Sequence, residues 1–143
     1  MPKLLTVIVP CYNEEENIKY FYEEFCKNDA YFLKHAIMYQ LIFVDDGSTD
    51  GTVTEIKNLH QKDKRVKLLS FSRNFGKEAA IYAGLQHASG NLVAIMDVDL
   101  QDPPSLLPQM IDEIFAGADQ VVARRTARQG EPRIRSWFAK LFY

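Results

Sequence analysis

The chain has 143 residues, 47% hydrophobic and 25% charged, with a formal charge of −2, the balance of a single soluble globular domain. Two cysteines, Cys11 and Cys26, are too few for a disulfide framework and form no Cys-x-x-Cys pair, so a reducing, cytosolic setting is expected. No apolar run approaches the roughly 18 residues of a membrane-spanning helix, and the N-terminus has no signal-peptide layout.

Apolar runs of strand length alternate with helical patterns from the start. Leu4 to Pro10 is a β-branched strand candidate. Asn13, with Glu16 three residues on, reads as an N-cap leading into Ile18, Phe21, Tyr22 and Phe25 at helical spacing. Asn28 to Met38 fits either a helix extension or a long connection. Leu41 to Val44 is the second strand, and a turn from Asp46 to Gly51 leads to a short helix over Thr52 to Leu59. Val66 to Phe71 is the third strand, followed by a helix over Lys77 to Ala88. Leu92 to Met96 is the fourth, Pro104 opens a helix through Phe115 in the first-turn position where proline costs least, and Gln120 to Ala123 is the fifth strand. Continuous apolar strands separated by helices predict an α/β fold, a mostly parallel sheet with helices on both faces.

The tail differs in charge. Residues 124–143 carry six basic side chains against the single acid Glu131, about +5, which leaves about −7 for the remainder. This stretch ends on Trp137, Phe138, Leu141, Phe142 and Tyr143 without turn or cap residues, so the chain reads as a C-terminally truncated fragment of a longer protein. Two regions follow from this: a ligand-binding domain over 1–125 and a basic, aromatic segment over 126–143.

In an open α/β sheet, ligands bind beyond the carboxyl ends of the strands. The first strand delivers Pro10, Cys11, Tyr12, Asn13 and Glu14 to that rim, the second Asp45 and Asp46, and the fourth Asp97, Asp99 and Asp102. Carboxylates brought together repel one another unless a cation or a shared proton relieves them. Oxygen ligands with no nearby histidine or cysteine point to a hard ion, Mg²⁺ or Mn²⁺, bridging one or two acids to a diphosphate. The bland alternative is that such acids cap helices and end strands, and it is the better reading for Asn13 and Asp50. No Gly-x-Gly-x-x-Gly follows the first strand and no Gly-Lys-Ser/Thr loop occurs, which weighs against dinucleotide cofactors and triphosphate hydrolysis.

Four stretches in order, TVIVPCYNEEENI, LIFVDDGSTDGT, SFSRNFGKEAAIYAGLQHASG and MDVDLQDPP, resemble the inverting glycosyltransferases of GT-A fold. They are most similar to the branch that moves a sugar onto a polyprenyl phosphate, the bactoprenol glucosyltransferases and dolichol-phosphate mannose synthases. The resemblance implies that Pro10, Tyr12 and Glu14 cradle base and ribose, and that Asp45 and Asp46 recognise the uracil edge. It puts Lys77 near the diphosphate, although a lysine there also fits a solvated helix start. Asp97-Val98-Asp99 matches the metal motif, with the first acid toward the ribose and the second on the ion, which acts as a Lewis acid on the leaving diphosphate. Asp102 lies in the Leu100–Pro104 extension typical of the polyprenyl-phosphate branch; Asp99, Asp102 and Arg125 are the expected catalytic residues.

A phosphate acceptor has a second pKa near 6, so at neutral pH it is largely dianionic and calls for cationic positioning more than for a base. Arg124, Arg125 and Arg128 follow the fifth strand, where the resembling family carries arginines facing that phosphate, and their planar forks bind phosphate oxygens in pairs. The chain has Ala123-Arg124-Arg125 where the family often has Gly-x-Arg, so which arginine acts stays open. Arg133 to Tyr143 reads as a basic, aromatic interfacial helix or as a helix packing on further chain. The resemblance thus implies transfer from a nucleotide-diphosphate sugar, UDP-glucose favoured, to a lipid acceptor at the cytoplasmic face of a membrane, with no nucleic-acid partner and homo-oligomerisation left open. The competing readings are a GT-A enzyme with a soluble sugar or polysaccharide acceptor and, more remotely, a receiver-like signalling domain.

Overall fold

The computed structural model describes residues 2–124 and 139–142. In chain order the elements are β1 (Lys3–Cys11), α1 (Ile18–Cys26), α2 (Asp29–Lys34), β2 (Ile37–Asp45), α3 (Thr52–Lys62), β3 (Val66–Ser70), α4 (Lys77–His87) and β4 (Leu92–Ile95). A single 3₁₀ turn, Pro104–Leu106, then leads into α5 (Leu107–Phe115), β5 (Gln120–Ala123) and β6 (Ala139–Phe142).

The six strands lie in the order β3-β2-β1-β4-β6-β5. β1 and β2 pair in parallel over nine residues each, from Lys3 opposite Ile37 to Cys11 opposite Asp45. β3 continues the parallel pairing on the far side of β2, and β4 lies parallel to β1 on the other side, Leu5 opposite Leu92 through Ile8 opposite Ile95. The chain thus winds outward from β1 first in one direction and then in the other. Such a switch leaves a crevice at the carboxyl ends of the two strands that flank it, because the connections depart to opposite sides. Here those strands are β1 and β4.

Strand periodicity divides the core. Leu5, Val7, Val9 and Cys11 of β1 pack on one face with Leu41 and Phe43 of β2, under α1, α2, α3 and α5. The α1 anchors Ile18, Phe21 and Phe25 recur at helical spacing, and Phe21 meets Phe43 edge-on with ring centroids 6.0 Å apart. Ile8, Ile42 and Val44 point to the other face, which is covered by α4 through Ala80. Gly84 lets α4 lie close, since a Cβ there would collide with the Ile8 side chain.

Four boundaries differ from the sequence reading. Asn13 does not cap α1, which starts only at Ile18. Its backbone is left-handed (φ 51°), its Oδ1 accepts from the Thr49 N–H at 2.8 Å, and its own N–H donates to Ser48 Oγ at 2.9 Å. Parallel pairing of β1 with β2 sets their exit loops side by side, and the short amide joins the two loops instead of starting a helix. The stretch from Asn28 is a helix of its own, α2, and β2 begins four residues before Leu41 because Ile37 and Tyr39 are buried while Met38 is exposed. Pro104 opens a 3₁₀ turn before the α-helix proper. Residues 139–142, expected to belong to an interfacial helix, form instead the strand β6, antiparallel to both β4 and β5 and lying between them. The rest of the basic, aromatic tail up to residue 138 lies outside the described residues.

Candidate functional site

The crevice predicted by the switch of strand order holds a cleft of about 180 Å³ lined by Pro10, Tyr12 and Glu14 from the β1 end, Asp46 from the β2 end, Asp97 and Asp99 after β4, and Lys77 at the start of α4. Seven expected residues therefore converge on one place. Cys11, placed at the rim from sequence without a role, lines it too, as do Ala80 and Val98. Cys11 is the apolar floor: burial and the charge of Asp45 push its thiol pKa far up, so it stays protonated and is no nucleophile. Its alternation with Val9 and Val7 on β1 was the available signal.

The two acids after β4 are differently placed. Asp97 accepts an ion pair from Lys77, Nζ to Oδ1 at 2.6 Å. Lys77 is thus turned into the cleft. Asp99 has its Oδ1 buried with no hydrogen-bond partner among the described residues. Burial, then the neighbouring charge of Asp97, raises the Asp99 carboxyl above the usual range, with Glu14 and Asp102 adding to it. A buried carboxylate oxygen with no partner among the described residues, close to other acids, is one that could take a cation. Among the described residues no group of three or more histidine, cysteine or carboxylate side chains is arranged as a complete metal cage. One or two carboxylate oxygens of this kind would suit a hard ion that completes its shell from water and ligand phosphate, the habit of Mg²⁺ and Mn²⁺.

The acids after β2 are held by the protein itself. Asp46 accepts from the Phe75 N–H (2.7 Å, Oδ1) and the Gly76 N–H (3.1 Å, Oδ2). Asp45, 1% exposed and absent from the cleft wall, accepts from the Ser48 N–H and the Ser70 hydroxyl, each at 3.3 Å. Around them a network joins the β1 and β2 loops. Thr52 Oγ1 accepts from the Glu14 N–H at 2.9 Å, Asp50 Oδ1 accepts from the Thr52 N–H at 2.9 Å, and Glu15 Oε2 accepts from the Gly51 N–H at 2.9 Å. Asp50, read as a cap from sequence, does start α3 by an Asx-type bond. Asp102 is buried near Asp99 but does not line the cleft. Arg124 is exposed at the end of β5, where Ala123 pairs with Ala139; Arg125 and Arg128 lie outside the described residues.

Residues 6–141 match the family model for glycosyl transferase family 2. A bactoprenol glucosyl transferase of Shigella phage SfV is 43% identical over 142 residues, covering 97% of this chain and 44% of that protein. A glycosyltransferase of Synechocystis is 39% identical over 139 residues, covering 97% and 43%. The chain thus spans less than half the length of these relatives. Among solved structures, a Pyrobaculum calidifontis mannosyltransferase in complex with GDP-Man and Mn²⁺ superposes with a TM-score of 0.64 at 27% identity, over 78% of this chain and 32% of that one. Staphylococcus aureus TarS, 24% identical, shares the fold with a TM-score of 0.64 over 94% of this chain and 39% of its own. The mostly parallel sheet with helices on both faces agrees with these likenesses: the fold is GT-A-like, and the chain belongs to glycosyl transferase family 2.

Proposed function

We propose that this chain is the donor-binding part of a glycosyltransferase that takes a sugar from a nucleotide diphosphate, UDP-glucose by preference, and passes it with inversion to a polyprenyl phosphate. The observation that carries the donor half is the buried Oδ1 of Asp99, which has no partner among the described residues, beside the Asp97–Lys77 pair in the switch-point cleft. The acceptor half rests on the likeness to the Shigella phage bactoprenol glucosyl transferase, at 43% identity.

In this reading Tyr12, 45% exposed at the cleft rim, offers a ring face to the base, and Glu14 accepts from ribose hydroxyls. Asp97 faces the ribose side, and Lys77, now paired with it, turns its ammonium to the diphosphate when the donor enters. Asp99 holds the divalent ion, which when bound neutralises charge developing on the leaving diphosphate. The cleft is smaller than the roughly 300–1,000 Å³ of a whole-ligand pocket, so the sugar and acceptor sit on its open side. Arg124, Arg125 and Arg128 follow β5 and supply the cationic cradle for the acceptor phosphate; Asp102 adds negative charge near Asp99, which a bound cation would offset. In the whole protein this chemistry takes place on the cytoplasmic face of a membrane.

Calorimetric titration with UDP and GDP, each with and without Mn²⁺, tests the donor half on this chain and on Asp99→Ala. UDP binding that needs Mn²⁺ and disappears in the variant is the expected result. No binding of either nucleotide by the folded chain in Mn²⁺ overturns it. A guanine donor is the second reading, favoured by the likeness to the mannosyltransferase bound to GDP-Man, and stronger binding of GDP would establish it. Labelled glucose appearing on polyprenyl phosphate with the full-length protein tests the acceptor half; labelling of a soluble saccharide instead would overturn it.

A further inference from the structure

Glu14, on the cleft wall, is held from two sides. Its backbone N–H donates to Thr52 Oγ1 at 2.9 Å, and its carboxylate Oε2 accepts from Asn17 Nδ2 at 2.7 Å. Thr52 is fully buried and fixed in turn, since Asp50 Oδ1 accepts both its N–H and its hydroxyl. The Asn17 bond is unusual for its place. Asn17 stands immediately before α1, where an asparagine ordinarily turns its Oδ1 to an amide of the first helical turn. Here it makes no such side-chain cap, and its amide reaches back three residues to Glu14 instead. The backbone keeps it within reach. The Asn17 N–H donates to Glu14 O at 2.9 Å, the Ile18 N–H to the same carbonyl at 3.2 Å, and Ile18 is anchored in the core. With Oε2 engaged, rotation of the Glu14 carboxylate is restrained and Oε1 is the oxygen offered to a ligand.

We infer that Asn17 is a positioning residue for ribose recognition: from outside the cleft wall it holds Glu14 Oε2, so that the carboxylate meets the ribose hydroxyls of the donor in one orientation. The inference rests on the donor-site reading above, in which Glu14 accepts from those hydroxyls, and deepens it. A free glutamate must freeze its side-chain torsions when it grips a ligand, whereas one held beforehand has lost that freedom on folding. The choice of an amide as the holder also has a reason. It favours the ionised carboxylate without placing a positive charge where it would repel a divalent ion at Asp99.

Two nucleotides separate this role from a structural one: UDP, and 2′,3′-dideoxy-UDP, which keeps base and diphosphate and lacks the ribose hydroxyls. Each is titrated calorimetrically in Mn²⁺, with GDP and its dideoxy form taking their place if guanine is preferred. The readout is the ratio of the two affinities. Wild type should prefer UDP by about tenfold, the scale of a hydrogen bond to a charged group. Asn17→Asp keeps the side-chain shape and the preference for a helix start, so the fold should survive, but it sets a second carboxylate against Oε2 in place of the donor. The ratio should fall to about twofold with the affinity for the dideoxy nucleotide little changed, and Asn17→Ala should act alike. Added to Glu14→Ala, either change should leave the ratio where Glu14→Ala put it, because both work through one carboxylate. A ratio that stays near the wild-type value in both variants, whether or not the two nucleotides weaken together, overturns the inference. Wild-type chain that binds UDP with no preference over the dideoxy form also overturns it, while leaving the donor cleft standing. Binding of neither nucleotide would remove the donor site itself, so the two failures are distinct.

Discussion

Two pairs of acids stand at neighbouring strand ends, and the protein treats them in opposite ways. Asp45 and Asp46 after β2 receive four hydrogen bonds from within the chain: two amides for Asp46, and an amide and a hydroxyl for Asp45. Asp97 after β4 pairs with Lys77, and Asp99, although the Gln101 backbone donates to its carboxylate, keeps Oδ1 buried with no partner among the described residues. The first pair is finished by folding and the second is left unfinished. An acid whose lone pairs are answered by backbone amides adds stability, while one left buried and short of donors costs stability until a ligand supplies what is missing.

The contrast predicts a double dissociation. Asp99→Ala should abolish metal-dependent UDP binding, a loss of about 100-fold or more, and chelating the metal from wild type should do the same. In the metal-free state that variant should melt no lower than wild type. Because its folded carboxyl is held above the ordinary range, ionised Asp99 opposes folding, so stability from this group falls as pH rises above the unfolded value. A large drop in metal-free melting temperature would show that Asp99 is structural after all.

Asp46→Ala should behave in the reverse sense and lose about 2–4 kcal/mol of stability, since two buried amides lose their acceptor. Urea unfolding measures it, and a variant as stable as wild type would erase the distinction between the pairs. Gly47→Ala sharpens the comparison from the backbone side. A left-handed φ of 77° and contact with the Arg73 main chain should cost about 2 kcal/mol by the same measurement.

The smallest effect serves as the control for an acid far from the cleft. Asp63 accepts from Arg65 and Tyr22, and the Arg65 guanidinium chiefly holds its pKa down to about 2 from 3.8. A depressed carboxyl stabilises the fold above the unfolded pKa and loses that contribution as pH falls toward about 2. With Arg65 half exposed, screening trims the effect, so Asp63→Asn should cost about 1 kcal/mol at pH 7, with the cost shrinking as pH falls through about 2. An equal cost at both ends of that range would remove the charge from the explanation.

These differences explain what the sequence could disclose. The strands were legible because Leu4 to Pro10 and Leu41 to Val44 are apolar on both faces, as a doubly covered sheet demands, and strand-end acids follow from that placement. The start of β2 was hidden because Met38 is exposed and breaks the apolar run. Asn13 and Glu16 fit an N-cap pattern, but the neighbouring β2 loop competed for the same amide and won. Nothing in the spacing of Asp45-Asp46 and Asp97-x-Asp99 distinguishes a satisfied pair from an unsatisfied one. The donors that decide it come from residues 29 or 30 positions away for Asp46 and 20 away for Lys77 with Asp97. Ala139–Phe142 was read as helix because its neighbours are basic and aromatic, and strand pairing on both sides overrode that local pattern.

The position of β6 has a bearing on how the chain assembles during synthesis. Among the described strands β5 reaches the rest of the sheet through β6, which is made after the others, so that edge of β4 stays open until residues 139–142 have left the ribosome. Until then β1, β2, β3 and β4 with their helices can close on one another, while β5 has no strand to pair with. A nascent chain stalled before residue 139 would carry an unpaired edge directly beside the acid pair, open to pairing with another chain. The strand that covers the β4 edge therefore also closes one route to aggregation, beyond the hydrogen bonds its four residues make.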